Sequence, residues 1–282
     1  GMVLLPSYGW QSVFYIAGIP LLLLPLIMKF LPESVGFMVK EGRTEEAAAV
    51  LSRVEPTFKM KAGDQLAAPA GKAKGGNVLQ LFREGRALQT VMLWVAFFCC
   101  LLMVYALASW LPKLMTKAGY GLGSSLSFLL VLNLGAIFGA VGGGWLSDKM
   151  NMPRVLAVFF AIAATSISLL GYKSSTEVLY ILIAIAGATT IGTQILLYAL
   201  GAQFYEMSIR STGLGWASGI GRNGAIVGPI LGGALLAAEL PLQANFLAFA
   251  IPGAVATVAM IVFALRQQAR RTGQPKLVTS AA

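Results

Sequence analysis

The chain has 282 residues, of which 57% are hydrophobic and only 11% charged, with a mean hydropathy of +0.76. A soluble domain carries about a quarter charged residues, so this chain lacks the polar skin that a soluble globular fold of its size needs. It has no His and only two Cys, the adjacent Cys99 and Cys100, which leaves out imidazole chemistry, His-ligated metals and a disulfide framework; its net charge of +10 is read as membrane orientation, not as nucleic-acid binding.

A helix needs about 20 mostly apolar residues to cross about 30 Å of hydrocarbon. Seven stretches meet that requirement: Trp10–Leu31, Gln89–Pro112, Ser125–Ser147, Arg154–Tyr172, Glu177–Ala202, Gly213–Ala238 and Gln243–Leu265. Trp10, Trp94, Trp110, Trp145 and Trp216 fall near span ends, as an interfacial aromatic belt requires. The loops on one side, together with the C-terminal tail, hold sixteen Lys and Arg; the other side holds three, Lys113, Lys117 and Lys173. The positive-inside rule therefore makes the C-terminus cytoplasmic. An odd number of spans then starts the chain outside, with no signal-peptide layout and no initial Met. The expectation is a fragment, with residues 1–9 as the tail of an earlier helix.

Residues 1–31 thus read as the end of one bundle, 32–88 as a cytoplasmic linker, 89–265 as a six-helix bundle and 266–282 as a cytoplasmic tail. Within the linker, Thr44 is expected to cap a short helix with Glu45 and Glu46 in its first turn. Ala47, Val50, Leu51 and Val54 would form its apolar stripe. Ala62–Asn77, rich in Ala, Gly and Lys, reads as flexible. In the spans, Gly215/Gly219, Gly224/Gly228/Gly232 and Gly135/Gly139/Gly143 recur every four residues, which predicts close helix contacts or gating surfaces. Pro229 predicts a kink or a break.

Arg222 is the only charged residue well inside a span. An Arg at that depth costs about 2.5–3.5 kcal/mol on insertion scales and needs a partner, a wet cavity or an anionic ligand. No carboxylate of this chain lies at the same depth, so a substrate-binding or ion-coupling role is favoured over a salt bridge to a missing helix. Thr190, Gln194 and Tyr198, spaced by four, with Tyr105 and Asn133, are the candidates for lining a cavity beside it. Asp148 ends the third span, where a carboxylate opposes the helix dipole. It is expected to gather Lys149, Arg154 and Arg210 into a cytoplasmic gate. Nothing pairs a nucleophile with a base, so no enzyme is indicated.

Gly144-Trp145-Leu146-Ser147-Asp148-Lys149 resembles the G-x-L-x-D-[RK] loop motif of the major facilitator superfamily, although Asn151 and Met152-Pro153 depart from its continuation. Pro32-Glu33-Ser34 is similar to that family's P-E-S after its sixth helix. More narrowly, Trp10-Gln11-Ser12-Val13-Phe14, Ser109-Trp110-Leu111-Pro112, Gln203-Phe204-Tyr205, Ile209-Arg210-Ser211-Thr212-Gly213 and Gly221 through Pro229 resemble the aromatic acid:H+ symporters, with Glu206 where proline is frequent. The resemblance implies an all-α polytopic bundle running from the end of helix 5 through helix 12 of twelve. It also implies proton-coupled import of aromatic carboxylates by alternating access, with protons as the coupling ion and no other cofactor. The implied partners are the lipid bilayer, a small anionic substrate and the N-terminal helices of the same chain, and the implied location is the inner membrane. A sugar or other metabolite:H+ symporter is the alternative. A seven-helix receptor is remote, because the last span has no Lys to carry a retinal.

Overall fold

The computed structural model describes residues 11, 15, 18–31, 33, 35–54 and 78–273, in two units, Gly1–Lys72 and Ala73–Ala282. Of the first predicted span only residues 10, 12–14 and 16–17 lie outside these residues, as do the flexible Ala62–Asn77 segment, Pro32, Ser34 and most of the Trp10–Phe14 motif.

In the first unit a 3-10 turn, Ile19–Leu23, leads into α1, Leu24–Phe30. Two short helices follow, α2 (Val35–Lys40) and α3 (Thr44–Val54). Gly42, at φ +80°, makes the left-handed turn between them that a side chain would strain. Thr44 corrects its predicted role: it lies inside α3, and its hydroxyl donates back to the Gly42 carbonyl at 3.3 Å. The helix start is held by Arg43, whose guanidinium donates to both carboxylate oxygens of Glu46 at 3.0 and 2.6 Å. That bond holds the Glu46 carboxyl below its ordinary range and raises the guanidinium. Ala47 and Met38 are buried, but Val54 is 77% exposed and is not part of a buried stripe.

The second unit opens with a 3-10 turn, Val78–Phe82, and six long helices. These are α4 (Ala87–Lys117), α5 (Leu122–Lys149), α6 (Met152–Leu169), α7 (Thr176–Phe204), α8 (Met207–Ala237) and α9 (Leu242–Gly273). All six are long and apolar enough to cross a membrane. Three boundaries differ from the sequence reading by more than three residues. α4 continues through Pro112 to Lys117, and the Thr116 hydroxyl donates to the Pro112 carbonyl at 2.9 Å. α8 begins six residues early, so Arg210 stands in its first turns and not in a loop, and it runs on through Pro229. α9 extends two turns past Leu265 and carries Arg266 and Arg270 on helix.

α4 packs against α8 and α9, α5 against α7, and α6 against α9. The aromatic core of Phe97, Phe128, Phe160, Phe246, Phe249 and Phe263 is fully buried. Lipid tails are as apolar as leucine, so close packing replaces the hydrophobic effect between spans. Glycines supply it. A Cβ at Gly224 would overlap the Phe98 carbonyl, and one at Gly228 the Leu102 carbonyl. At Gly232 it would overlap the Trp110 ring, whose Nε1 donates to the Pro229 carbonyl at 2.9 Å. On the other side Gly135 and Gly139 lie against the Ala184 and Ala188 carbonyls, and Gly187 against that of Leu132. The Gly215/Gly219 pair makes no such close contact, for both positions face open space.

The two glycine classes separate experimentally. Gly224→Ala forces the α4–α8 backbones apart and is expected to cost about 1–3 kcal/mol, the usual range for overpacking. Gly219→Ala is expected to be neutral to slightly stabilising. Thermal midpoints of the purified variants in detergent test both; equal midpoints would reject the close-contact role of Gly224.

Candidate functional site

α8 has 31 residues and is about 46 Å long at 1.5 Å per residue, well over the thickness of a bilayer core. Arg222 is its sixteenth residue, at the midpoint. The buried stripe Gly213, Ala217, Gly221, Gly224, Gly228 and Gly232 faces inward, so Arg222, one residue off that stripe, emerges at its edge and is exposed. Its Nη1 donates to the Tyr105 hydroxyl of α4 at 3.4 Å. Among the described residues no carboxylate forms an ion pair with it.

One turn earlier on the same face stands Ser218, which shares a hydrogen bond of 3.0 Å with the Tyr198 hydroxyl of α7. The Tyr198 ring is held edge-on against Phe97 of α4, centroids 5.0 Å apart. Arg222, Tyr105, Tyr198 and Ser218 therefore form a polar ledge drawn from three helices. Ser218 was not singled out from the sequence; its spacing of four from Arg222 was the available signal.

The other cavity candidates join less well. Gln194 is half-buried on the Tyr198 side of α7. Asn133 is exposed on α5, but its amide donates to the Leu129 carbonyl of its own helix at 2.7 Å. Thr190 is a correction, for it is fully buried and its hydroxyl donates to the Ala186 carbonyl at 2.6 Å. A span threonine meets its hydrogen-bonding need on the preceding turn, and nothing of it is left for a cavity.

The residues of the predicted gate do not meet in this structure. Asp148 is exposed and forms no ion pair with Lys149, Arg154 or Arg210. Lys149 sits 3.9 Å over the Trp145 ring. Arg154 donates to Gln268 Oε1 at 2.9 Å, and Arg210 to the Tyr205 carbonyl at 3.4 Å. Each of these cations is engaged elsewhere.

The ionic node at this end is built instead on Arg86, which the sequence reading passed over. Arg86 is 7% exposed and meets Glu206 at 2.7 Å and Glu84 at 3.0 Å. It ties the start of α4 to the start of α8. Tyr205 lies beside it, 1% exposed, with its hydroxyl on Thr90 at 3.4 Å and the Thr90 hydroxyl on the Leu81 carbonyl at 2.9 Å. Burial pushes the Tyr205 phenol up, so it stays neutral. Gly213 makes room for its ring.

Six apolar helices, a glycine-packed seam and one mid-span arginine are the setting in which comparison with known proteins becomes informative. The Major Facilitator Superfamily profile matches residues 1–218 and 143–280. The chain belongs to the major facilitator superfamily. It is 43% identical to the benzoate transport protein of Acinetobacter baylyi over 99% of this chain and 59% of that protein. It is 35% identical to the 4-hydroxybenzoate transporter PcaK of Pseudomonas putida over 95% of this chain and 61% of that one. With the gallate transporter of Pseudomonas putida it shares 33% identity over 92% of this chain and 58% of the relative. The resemblance read from the motifs is thereby borne out: its relatives are transporters of aromatic acids, not enzymes. The chain spans about three-fifths of their length. Its backbone matches the xylose:proton symporter XylE with a TM-score of 0.63 at 19% identity, over 92% of this chain and 57% of that one. At that identity the likeness speaks for the fold alone.

Separating Arg86 from Glu206 tests the node. Arg86→Ala leaves Glu206 without its cation and opens the junction of α4 with α8. A loss of about 1–3 kcal/mol of stability is expected, the lower end because Glu206 is largely exposed. The charge swap Arg86→Glu with Glu206→Arg should recover part of it. Equal thermal midpoints for wild type and Arg86→Ala would remove the node from the fold's support.

Proposed function

We propose that this chain is part of a proton-coupled symporter that imports small aromatic carboxylates across the inner membrane by alternating access. Its C-terminus would be cytoplasmic, as the loop charges direct, and helices preceding residue 1 would complete the carrier. The reading is supported above all by Arg222, a cation at the midpoint of a membrane helix that makes a hydrogen bond to a phenol and has no carboxylate partner among the described residues. A carboxylate is the ligand such a group lacks. The guanidinium fork donates to both carboxylate oxygens at once, and the low dielectric of a membrane interior strengthens the pair. The Tyr105 and Tyr198 rings flanking the ledge suit an aromatic body, because ring–ring contacts add to simple burial. The aromatic-acid relatives point to the same class of substrate.

In this mechanism Arg222 holds the carboxylate, Tyr105 orients the guanidinium, and Tyr198 and Ser218 offer hydroxyls to ring substituents. Gln194 and Asn133 would extend the polar lining. Asp148, Lys149, Arg154 and Arg210 would meet as a gate only in another conformation of the carrier. The coupling proton would be carried by the whole transporter.

Uptake of labelled benzoate and 4-hydroxybenzoate by cells expressing the full-length protein tests this reading. Arg222→Gln is expected to lower uptake at least roughly tenfold, the loss of one charge-assisted pair. Arg222→Lys should recover little, because a point charge cannot replace the fork. A protonophore should abolish accumulation, and excess hexose should not compete. Unchanged uptake and unchanged anion affinity in Arg222→Gln would overturn the role of the arginine; competition by hexose but not by benzoate analogues would favour a sugar carrier.

A further inference from the structure

Away from the ledge, a cavity of about 410 Å³ opens where the start of α4 meets the end of α9. Its walls include Gly85, Leu88, Gln89, Arg266 and Arg270. Four features give it one chemical character. First, the opening turn of α4 has no capping side chain, so the backbone N–H groups of a 31-residue helix and the positive end of its dipole point out of the helix here. Second, Arg266 is exposed and has no hydrogen-bond or ion-pair partner among the described residues. Third, Arg270 is anchored by a hydrogen bond to the Glu84 carbonyl; Gly85, at φ +70°, makes that possible, since a Cβ there would lie 2.8 Å from the guanidinium. Fourth, Gln89 is 2% exposed, yet its carboxamide oxygen has no partner. A half-turn of that amide exchanges oxygen for nitrogen, so it can offer a donor. Two cations, free amides and an unpartnered buried carboxamide make a site for a phosphate-type anion.

Further along the same two helices lies an apolar groove. A second cavity, of about 500 Å³, is lined by Val91, Val95 and Phe98 of α4, Ile220 of α8, and Ile251 and Val255 of α9. Leu88, Val91, Val95 and Phe98 follow the three-and-four spacing of one helix face. Val255 and Arg266, eleven residues apart, share a face of α9 and are separated by roughly 16 Å. That is close to the depth of one hydrocarbon leaflet, about 15 Å. Polar cavity and groove together have the dimensions and polarity of one phospholipid, headgroup at the interface and acyl chain below it.

We infer that the α4–α9 crevice is a binding site for a membrane glycerophospholipid, its phosphodiester held by Arg266, Arg270, Gln89 and the α4 N-terminus and one acyl chain laid along Val91, Val95 and Val255. Basic pockets between spans at a membrane surface are the usual setting for such recognition. The site is separate from the Arg222 ledge and does not depend on the substrate assigned to it. A lipid there would stiffen the junction of α4 with α9 next to the Arg86 node.

Native mass spectrometry of the full-length protein in detergent, titrated with phosphatidylglycerol, tests the assignment. The wild type is expected to retain one tightly bound lipid. Arg266→Gln with Arg270→Gln should weaken it roughly tenfold or more. Because Arg270 also braces the Glu84 turn, Arg266→Gln alone is compared at an unchanged thermal midpoint and should weaken binding several-fold. Val255→Trp fills the groove at a half-exposed position without altering charge, and it too should weaken retention several-fold. Equal retention in all four proteins would overturn the site. Weakening by the arginine changes but not by Val255→Trp, with displacement by inorganic phosphate, would make it a free-anion site and overturn the lipid.

Discussion

The geometry of the second unit depends on how closely α4 and α8 approach each other. Within hydrocarbon no solvent pushes helices together, so two spans associate only as far as their surfaces let backbone meet backbone. Gly224 and Gly228 bring α8 onto the Phe98 and Leu102 carbonyls, and Gly232 admits the Trp110 ring. Arg222 stands at the edge of this seam, one residue after Gly221. Its distance to Tyr105 is therefore set by glycines that never touch it. A bulkier seam would carry the guanidinium away from the phenol and dissolve the ledge without altering one polar residue.

Much of this was legible in the sequence, because the bilayer turns composition into structure. Apolar length gives seven spans, six of which are long helices among the described residues, and four-residue spacing gives the Gly224/Gly228/Gly232 seam. Arg222 follows from being a lone charge in an apolar run. What escaped depended on which neighbour a side chain meets. Thr190 shares a helical face with Gln194 and Tyr198 in the sequence, yet it turns inward and bonds Ala186. Gly215 and Gly219 have the seam's spacing but miss its face by a fraction of a turn. Tyr198 and Ser218 meet only because α7 and α8 converge there, and no local pattern encodes that.

The charges at the helix ends divide by how much company a dipole needs. Asp148 stands at the C-terminal end of α5, where its sign is unfavourable. The sequence argument therefore demanded cations around it. In the structure the residue is exposed instead, and an exposed ion pair contributes little in any case. Lys149 lies over Trp145 instead, where the electron-rich ring face attracts the ammonium without a carboxylate. Arg86 has no such option. At 7% exposure it requires partners, and both Glu84 and Glu206 are supplied.

Glu206 then explains its own departure from the family pattern. A proline at the start of α8 would set the helix entry through its fixed φ. Glutamate reaches the same end electrostatically: it occupies the N-cap position of a 31-residue helix, where a negative charge is favoured by the dipole. Its carboxylate also spans to Arg86 on α4. A proline would fix the start of α8 only with respect to its own chain. The glutamate fixes it with respect to α4, the helix whose surface carries Tyr105. One residue at the membrane surface thus sets the register of the seam from its end, while the glycines set it along its length, and the position of the mid-span arginine follows from both.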